Sequence, residues 1–372
     1  MSAKARFASY FRNPIFLRGF GYGGIFTATL SFYGFVFDNW RSQKKKEKDA
    51  EEQLKIAFED GDKVTRGQSI LKYGSPEMGN GVRYYSNFAL VYDQQKRTPA
   101  WVAEQITANL LKGTANRKHS KFKPDPGVPE MFSAENSDYW KSGWSRGHMA
   151  PAGDNKYNQE SMNESFYLSN VVPQNLDNNA GFWNRLEMYC RDLTKKYPSV
   201  HVLSGPLFMP KGEEDGKRYV KYQVIGQNGV AVPTHLFKVI VVEDKLGEPV
   251  AMATFIVPNE PINFDHKLTE YQVPMETLEG VVGMKIIPKL DRQIVGDLCE
   301  IEGCKLMDRT EFELYFIGRK LGSANTLHRL DKVWGELEEK KLQPDQYLKD
   351  LYNRKLVELG KTEEKTTQEG VR

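Results

Sequence analysis

Hydrophobic positions change their spacing several times along the chain, and each change marks a different kind of element. Val82 to Tyr92 is aromatic and β-branched and reads as strands, while Pro99 to Leu111, with Trp101 inside, reads as a strand or short helix. Phe166 to Val172 has the composition of a buried strand, and Val200 to Pro206 of a strand running into a turn. Further strands are expected over 219–226, 235–243 and 250–257, closed by the turn Pro258-Asn259-Glu260-Pro261. Asp177 to Tyr197 keeps amphipathic helical spacing and should end near Pro198. From about residue 310 the chain turns helical again, with leucines and aromatics at helical spacing over Thr326–Lys341 and Pro344–Gly360, and Pro344 suited to a first turn. Strands and helices do not alternate strictly, which predicts an α+β body rather than a doubly wound sheet.

The N-terminal pattern is different. Residues 1–37 carry Lys4, Arg6, Arg12 and Arg18, and the first acidic residue is Asp38, the balance of a mitochondrial targeting segment. Residues 19–37 are uncharged. At about 1.5 Å per residue such a run just crosses a hydrocarbon core of about 30 Å, although its five glycines weaken it as a span. A single-pass anchor in a mitochondrial membrane, the inner one, is the favoured expectation; a buried helix and a cleaved secretory signal are the alternatives. Residues 41–62 are mostly charged and read as a solvated helix or linker. The expected division is a targeting and anchor segment over 1–40, a linker over 41–67, a globular domain over 68–309, a helical wing over 310–360 and a disordered tail over 361–372.

Composition narrows the class without naming a chemistry. The chain has 372 residues, 40% hydrophobic and 12% aromatic, enough for a real core and unlike a disordered protein. A net charge of +3 says little, but residues 112–123 (KGTANRKHSKFK) concentrate basic charge around one aromatic, as a phosphate-binding patch requires. Cys190, Cys299 and Cys304 are too few for a disulfide framework and lack His partners at zinc spacing. They read as buried thiols, with a Cys299–Cys304 disulfide as the alternative in an oxidising compartment.

Two segments carry candidate chemistry. One is Ser145-Arg146-Gly147-His148-Met149-Ala150-Pro151-Ala152-Gly153-Asp154-Asn155, the other runs from Ser169 to Glu187. Asn179, Trp183, Glu187 and Arg191 recur every four residues and would share one slowly rotating helix stripe. An amide, a carboxylate and a guanidinium on one stripe suit a site for a cation and a phosphate together. An exposed Glu187–Arg191 ion pair, worth only ~0.3–0.5 kcal/mol, would give the same spacing. His148 lies about 30 residues before that helix in a glycine- and proline-rich loop, so a strand–loop–helix turn would let it face Asn179.

Together these segments resemble the DNA/RNA non-specific, ββα-metal nuclease family. That family carries Arg-Gly-His, then Ser-Asn-x-x-Pro-Gln, then Asn-x-Gly-x-Trp-x-Arg-Leu-Glu. All three stand here in order, as Arg146-Gly147-His148, Ser169-Asn170 through Gln174, and Asn179 through Glu187. Ser145, where many members have Asp, is similar to the endonuclease G-like mitochondrial exonucleases of the family. So are Arg117-Lys118-His119, Ser204-Gly205-Pro206, Pro258-Asn259-Glu260 and the helical extension after 310. The resemblance covers roughly residues 70–355. It implies a ββα-metal fold with a central, mostly antiparallel sheet flanked by helices, and cleavage of phosphodiester bonds.

By the same resemblance His148 is the general base, Asn179 the direct protein ligand of Mg²⁺ (with Mn²⁺ able to substitute), and Glu187 the carboxylate holding the metal's waters. Arg146 and Arg191 are guanidiniums near the scissile phosphate, Asn170 is an amide supporting the site, and Arg117 is a transition-state arginine for which Lys121 is the alternative. The implied partners are DNA, with RNA as an alternative, a membrane through the N-terminus, and a second copy in a homodimer. Three functions compete. The first is a nuclease with little base preference, sugar-non-specific or DNA-preferring, acting as a mitochondrial 5′-3′ exonuclease/endonuclease in DNA maintenance, with the wing expected to block continuous threading and favour ends. The second is endonuclease G-like internal cutting of DNA and RNA, and the third a non-catalytic nucleic-acid-binding membrane protein.

Overall fold

The computed structural model describes residues 62–76, 81–212 and 216–369. The expected targeting segment, the anchor over 19–37 and residues 41–61 of the linker lie outside the described residues; the remaining linker residues 62–67 are helical. No helix among the described residues is long and apolar enough to cross a membrane.

Nine strands matter for the site: β1 Arg83–Tyr84, β2 Phe88–Asp93, β3 Thr98–Ile106, β4 Ser145–His148, β5 Val171–Gln174, β6 Ser199–Leu207, β7 His235–Glu243, β8 Pro249–Pro258 and β9 Gly296–Asp297. Seven of them form one sheet in the order β1-β2-β3-β6-β7-β8-β9, antiparallel except for the β8–β9 edge. The central strands are apolar almost throughout because both faces are covered. Along β7, Leu236, Ile240 and Val242 point to the core on one face, and Phe237, Val239 and Val241 to the core on the other. The expected strand over 219–226 survives only as the short pairs at Arg218–Tyr219 and Val224–Ile225, where the side chains are largely exposed and bury too little to extend pairing.

β4 and β5 form a separate antiparallel pair, with Arg146 opposite Pro173 and His148 opposite Val171. The helices used below are α1 Gln159–Glu164, α2 Leu176–Ala180, α3 Phe182–Leu193, α4 Met275–Val282, α5 Leu298–Glu302, α6 Arg309–Gly322, α7 Leu327–Glu339 and α8 Gln346–Glu369. β4, β5 and α2–α3 make the ββα unit. The α3 side chains Phe182, Trp183, Leu186 and Cys190 pack on one sheet face with Val102, Ile106, Val202 and Ile240.

The single helix expected over Asp177–Tyr197 is interrupted. Gly181 takes φ −105°, ψ −94° between α2 and α3 and ends the first segment. The four-residue stripe is therefore broken, and Trp183 is fully buried in the core rather than standing beside Asn179. The C-terminal region holds three helices, and α8 runs on past Gly360 to Glu369. Cys299 and Cys304 are joined by a disulfide, and Cys190 is a buried free thiol.

Candidate active site

Gly147 lets the ββα unit close. A Cβ there would fall 2.7 Å from the Gln174 Cβ across the strand pair, so the residue between Arg146 and His148 has no room for a side chain. The strand then delivers His148 to the floor of a cavity of about 580 Å³. Arg117, Arg146, His148, Asn179, Glu187 and Arg191 all line it. Asn170 does not. It is fully buried behind the floor, donating from Nδ2 to the Ala150 and Ser165 carbonyls, both at 2.8 Å, and accepting from Ala150 N at 2.9 Å. It braces the backbone directly after His148. Its neighbour Ser169 does similar work, donating to buried Asp125 at 2.6 Å.

His148 sits among rings and cations. Phe122 lies 5.0 Å and Phe166 4.9 Å from its ring, while Arg146 covers Phe122 at 4.7 Å and Arg117 covers Phe166 at 5.5 Å. The aromatics thus hold both guanidiniums beside the imidazole. Burial first, then the charges of Arg117 and Arg146, push the imidazole down to about 3, so it is neutral near pH 7. Nε2 is buried with no hydrogen-bond partner, an unsatisfied polar atom in a residue that lines the cavity.

The opposite wall comes from α2 and α3. Asn179 Nδ2 donates to Ser145 Oγ at 3.0 Å, and Ser145 in turn donates to the Gln174 carbonyl at 2.8 Å. Because the hydroxyl proton is committed to that carbonyl, Ser145 can only accept from Asn179. This fixes the amide orientation and leaves Oδ1 as the free end. The residue that departs from the commoner acidic form thus orients the expected metal ligand. Burial pushes the Glu187 carboxyl up to about 7, against the pull of Arg191 and Lys238. A free amide oxygen and a desolvated carboxyl fit a hard divalent cation, which would restore the charge that burial disfavours. Among the described residues no cluster of three His, Cys, Asp or Glu side chains could cage a metal. A cation here would keep most of its coordination shell as water or substrate oxygen, the habit of Mg²⁺.

Arg191 donates from Nη1 to Asp154 Oδ1 at 2.8 Å, and Gly153 gives it clearance, since a Cβ there would stand 2.9 Å from that nitrogen. Several wall residues escaped sequence reasoning: Lys156, Asn184, and Tyr315 and Arg319 of α6. Lys156 lies two residues after Asp154 in the amide-rich loop, a signal that could have been used. Tyr315 and Arg319 are more than 100 residues distant and no local pattern marks them.

A two-stranded ribbon leading into a helix, with an imidazole on the ribbon and an amide on the helix, is the ββα-metal nuclease architecture, a fold that implies a divalent cation. Residues 66–293 match the family described as DNA/RNA non-specific endonuclease, and the chain belongs to that family of nucleic-acid hydrolases. Residues 307–355 match a second model, the endo/exonuclease (EXOG) C-terminal domain. The chain is 50% identical over 319 residues to "Nuclease EXOG, mitochondrial" of Danio rerio, covering 84% of this chain and 93% of that protein. It is 49% identical over 300 residues to the Homo sapiens protein of the same name, covering 80% and 82%. "Endonuclease G, mitochondrial" of Homo sapiens is 41% identical over 221 residues, covering 59% and 74%. Among solved structures, a chain of the crystal structure of the EndoG/EndoGI complex aligns with TM-score 0.60 at 41% identity, covering 62% of this chain and 95% of its own.

Proposed function

We propose that this chain is a Mg²⁺-dependent mitochondrial nuclease that attacks DNA from its ends. His148 would take a proton from the attacking water, Arg117 and Arg146 would hold the scissile phosphate, and Asn179 would hold the metal. The single observation that carries this is the neutral His148, its Nε2 without a hydrogen-bond partner, beside two guanidiniums in the cavity that Asn179 also lines. A neutral imidazole is the base form. A bound phosphate would offset the charges of Arg117 and Arg146 and so raise the basicity of His148 when substrate is present. Glu187 would hold water bound to the metal, and Arg191, fixed by Asp154, would add positive charge to the cavity. Mg²⁺, for which Mn²⁺ could substitute, would supply charge stabilisation on the phosphate and the leaving 3′ oxygen.

The end preference rests on α6. Tyr315 and Arg319 reach into the cavity wall from a C-terminal helical extension that matches the EXOG C-terminal model. A wall at that position would stop a continuous duplex and admit a terminus. Endonuclease G-like internal cutting of DNA and RNA is the second reading, supported by the 41% identity over the nuclease body. The names of the relatives and the acid-poor N-terminus support a mitochondrial setting; the uncharged run over 19–37 is the proposed inner-membrane anchor, on its length and composition alone. A homodimer is carried over from the family alone. Parallel digestion of a supercoiled plasmid and its linear form, with Mg²⁺ and with chelator, tests the reading. Faster loss of the linear form, abolished by chelator, supports it; equal attack on both forms supports internal cutting, and activity in chelator refutes metal dependence.

A further inference from the structure

The three C-terminal helices have a core of their own, including Ile317, Leu321, Leu330, Val333, Leu337 and Leu348. The core beneath the catalytic cavity contains none of these residues. The wing and the nuclease body are therefore not fused by a common apolar core, and something else must set where the wing wall stands.

Arg185 occupies that position. It lies on α3 two residues before Glu187 and is only 2% exposed. Nη1 donates to the Met307 carbonyl at 3.0 Å and Nη2 to the Asn263 carbonyl at 3.4 Å. The guanidinium covers the Phe264 ring at 4.2 Å and the Phe182 ring at 5.4 Å, and Nε is buried without a partner. Phe264 then meets Phe312 of α6 edge-on at 5.7 Å. Phe312 meets Phe316 at 4.9 Å, and Phe316 meets Tyr315 at 5.4 Å, the ring that lines the catalytic cavity. Met307 immediately precedes Asp308, the N-cap of α6.

We propose that Arg185, Phe264 and Phe312 form the joint that fixes the wing wall over the catalytic cavity, and so govern whether a nucleic-acid strand can pass through uninterrupted. They are positioning residues, not catalytic ones. The hydrogen bond to Met307 pins the start of α6, and the ring stack pins its first turn. Tyr315 lies three residues past Phe312, about 4.5 Å along the axis at about 1.5 Å per residue, so a small shift at the joint is passed directly to the wall. The joint depends on a planar cation between rings, which a lysine ammonium does not reproduce.

The inference rests on the reading that the wing selects ends, and its test separates the two. In the full chain, the circular-to-linear cleavage ratio is measured for the wild type, Phe264→Ala, Phe264→Trp, Phe312→Ala and the wall double variant Tyr315→Ala/Arg319→Ala. Nitroxides on Lys195→Cys and Lys349→Cys report the body-to-wing distance independently, and hydrolysis of a trinucleotide reports the intact site. Phe264→Ala and Phe312→Ala should broaden the distance distribution and raise the ratio on the order of fivefold or more, with trinucleotide hydrolysis retained, while Phe264→Trp behaves as wild type. An unchanged distance distribution in folded Phe264→Ala overturns the joint. A broadened distribution with an unchanged ratio overturns its role in selection. If the wall double variant then does shift the ratio, end selection by the wing stands without the joint; if it does not, that reading falls as well.

Discussion

Arg191 Nη1 is held 2.8 Å from Asp154 Oδ1, a carboxylate that is only 1% exposed. The acceptor is Asp154, not Glu187 one helical turn earlier, which the i,i+4 spacing offered. The loop that follows His148 is thereby tied to the helix that carries Glu187. The ion pair ties the two sides of the cavity together, and Glu187 feels the Arg191 charge only through space, without a salt bridge to it.

Removing Asp154 should therefore cost more than a surface ion pair. Asp154→Ala leaves a guanidinium with little solvent and no carboxylate, a change that typically destabilises by about 3–5 kcal/mol. Urea denaturation checks it. A loss under about 1 kcal/mol would show that Arg191 finds another partner at little cost.

The protonation state of His148 has a signature in stability. Folding holds the imidazole at about 3, below its ordinary 6.5. Between those values the unfolded chain takes up a proton that the folded chain refuses, so this group makes stability fall as pH drops from about 6.5 toward 3. The urea midpoint of the wild type should fall further between about pH 7 and pH 5 than that of His148→Asn. Parallel losses in both would mean that the folded imidazole is not held neutral.

Ser145→Ala removes the acceptor that orients Asn179. Loss of an outer hydrogen bond of this kind typically weakens metal affinity 10–100-fold, that is by about 1.4–2.7 kcal/mol. Titrating activity with Mg²⁺ should show the half-saturating concentration rising while activity at saturating metal is largely kept. An unchanged titration would mean that the Asn179 amide is oriented without Ser145.

Asn170→Ala should damage both fold and activity although the residue never touches the cavity. Its amide satisfies Ala150 N, Ala150 O and Ser165 O in a fully buried setting. Leaving those groups unpaired should cost at least about 2 kcal/mol. Hydrogen exchange at Ala150 should accelerate in the variant; unchanged protection there would remove the bracing role.

Much of this was legible in the sequence where local chemistry dominates. β7 follows the predicted 235–243 because the run over 236–242 is apolar and largely β-branched apart from Lys238, and its burial on both faces needs no alternation. The grouping of His148, Asn179 and Glu187 followed from three short motifs in fixed order. The break at Gly181 was not legible, because helical spacing continues across it and only backbone conformation reveals it. Asp154 was visible as a residue but not as the partner of Arg191, since that pair spans two elements. Tyr315, Arg319 and the Arg185–Phe264 stack depend on how the wing folds back, which no local period encodes.

Single-turnover cleavage of end-labelled duplex DNA in Mg²⁺ by the wild type and His148→Ala, with both confirmed folded by circular dichroism, bears most directly on His148 as the base. Loss of about 10²–10⁴-fold in the cleavage rate is expected for removal of a positioned general base. Rates within about threefold of each other would contradict it, and the proton would have to be taken by another group.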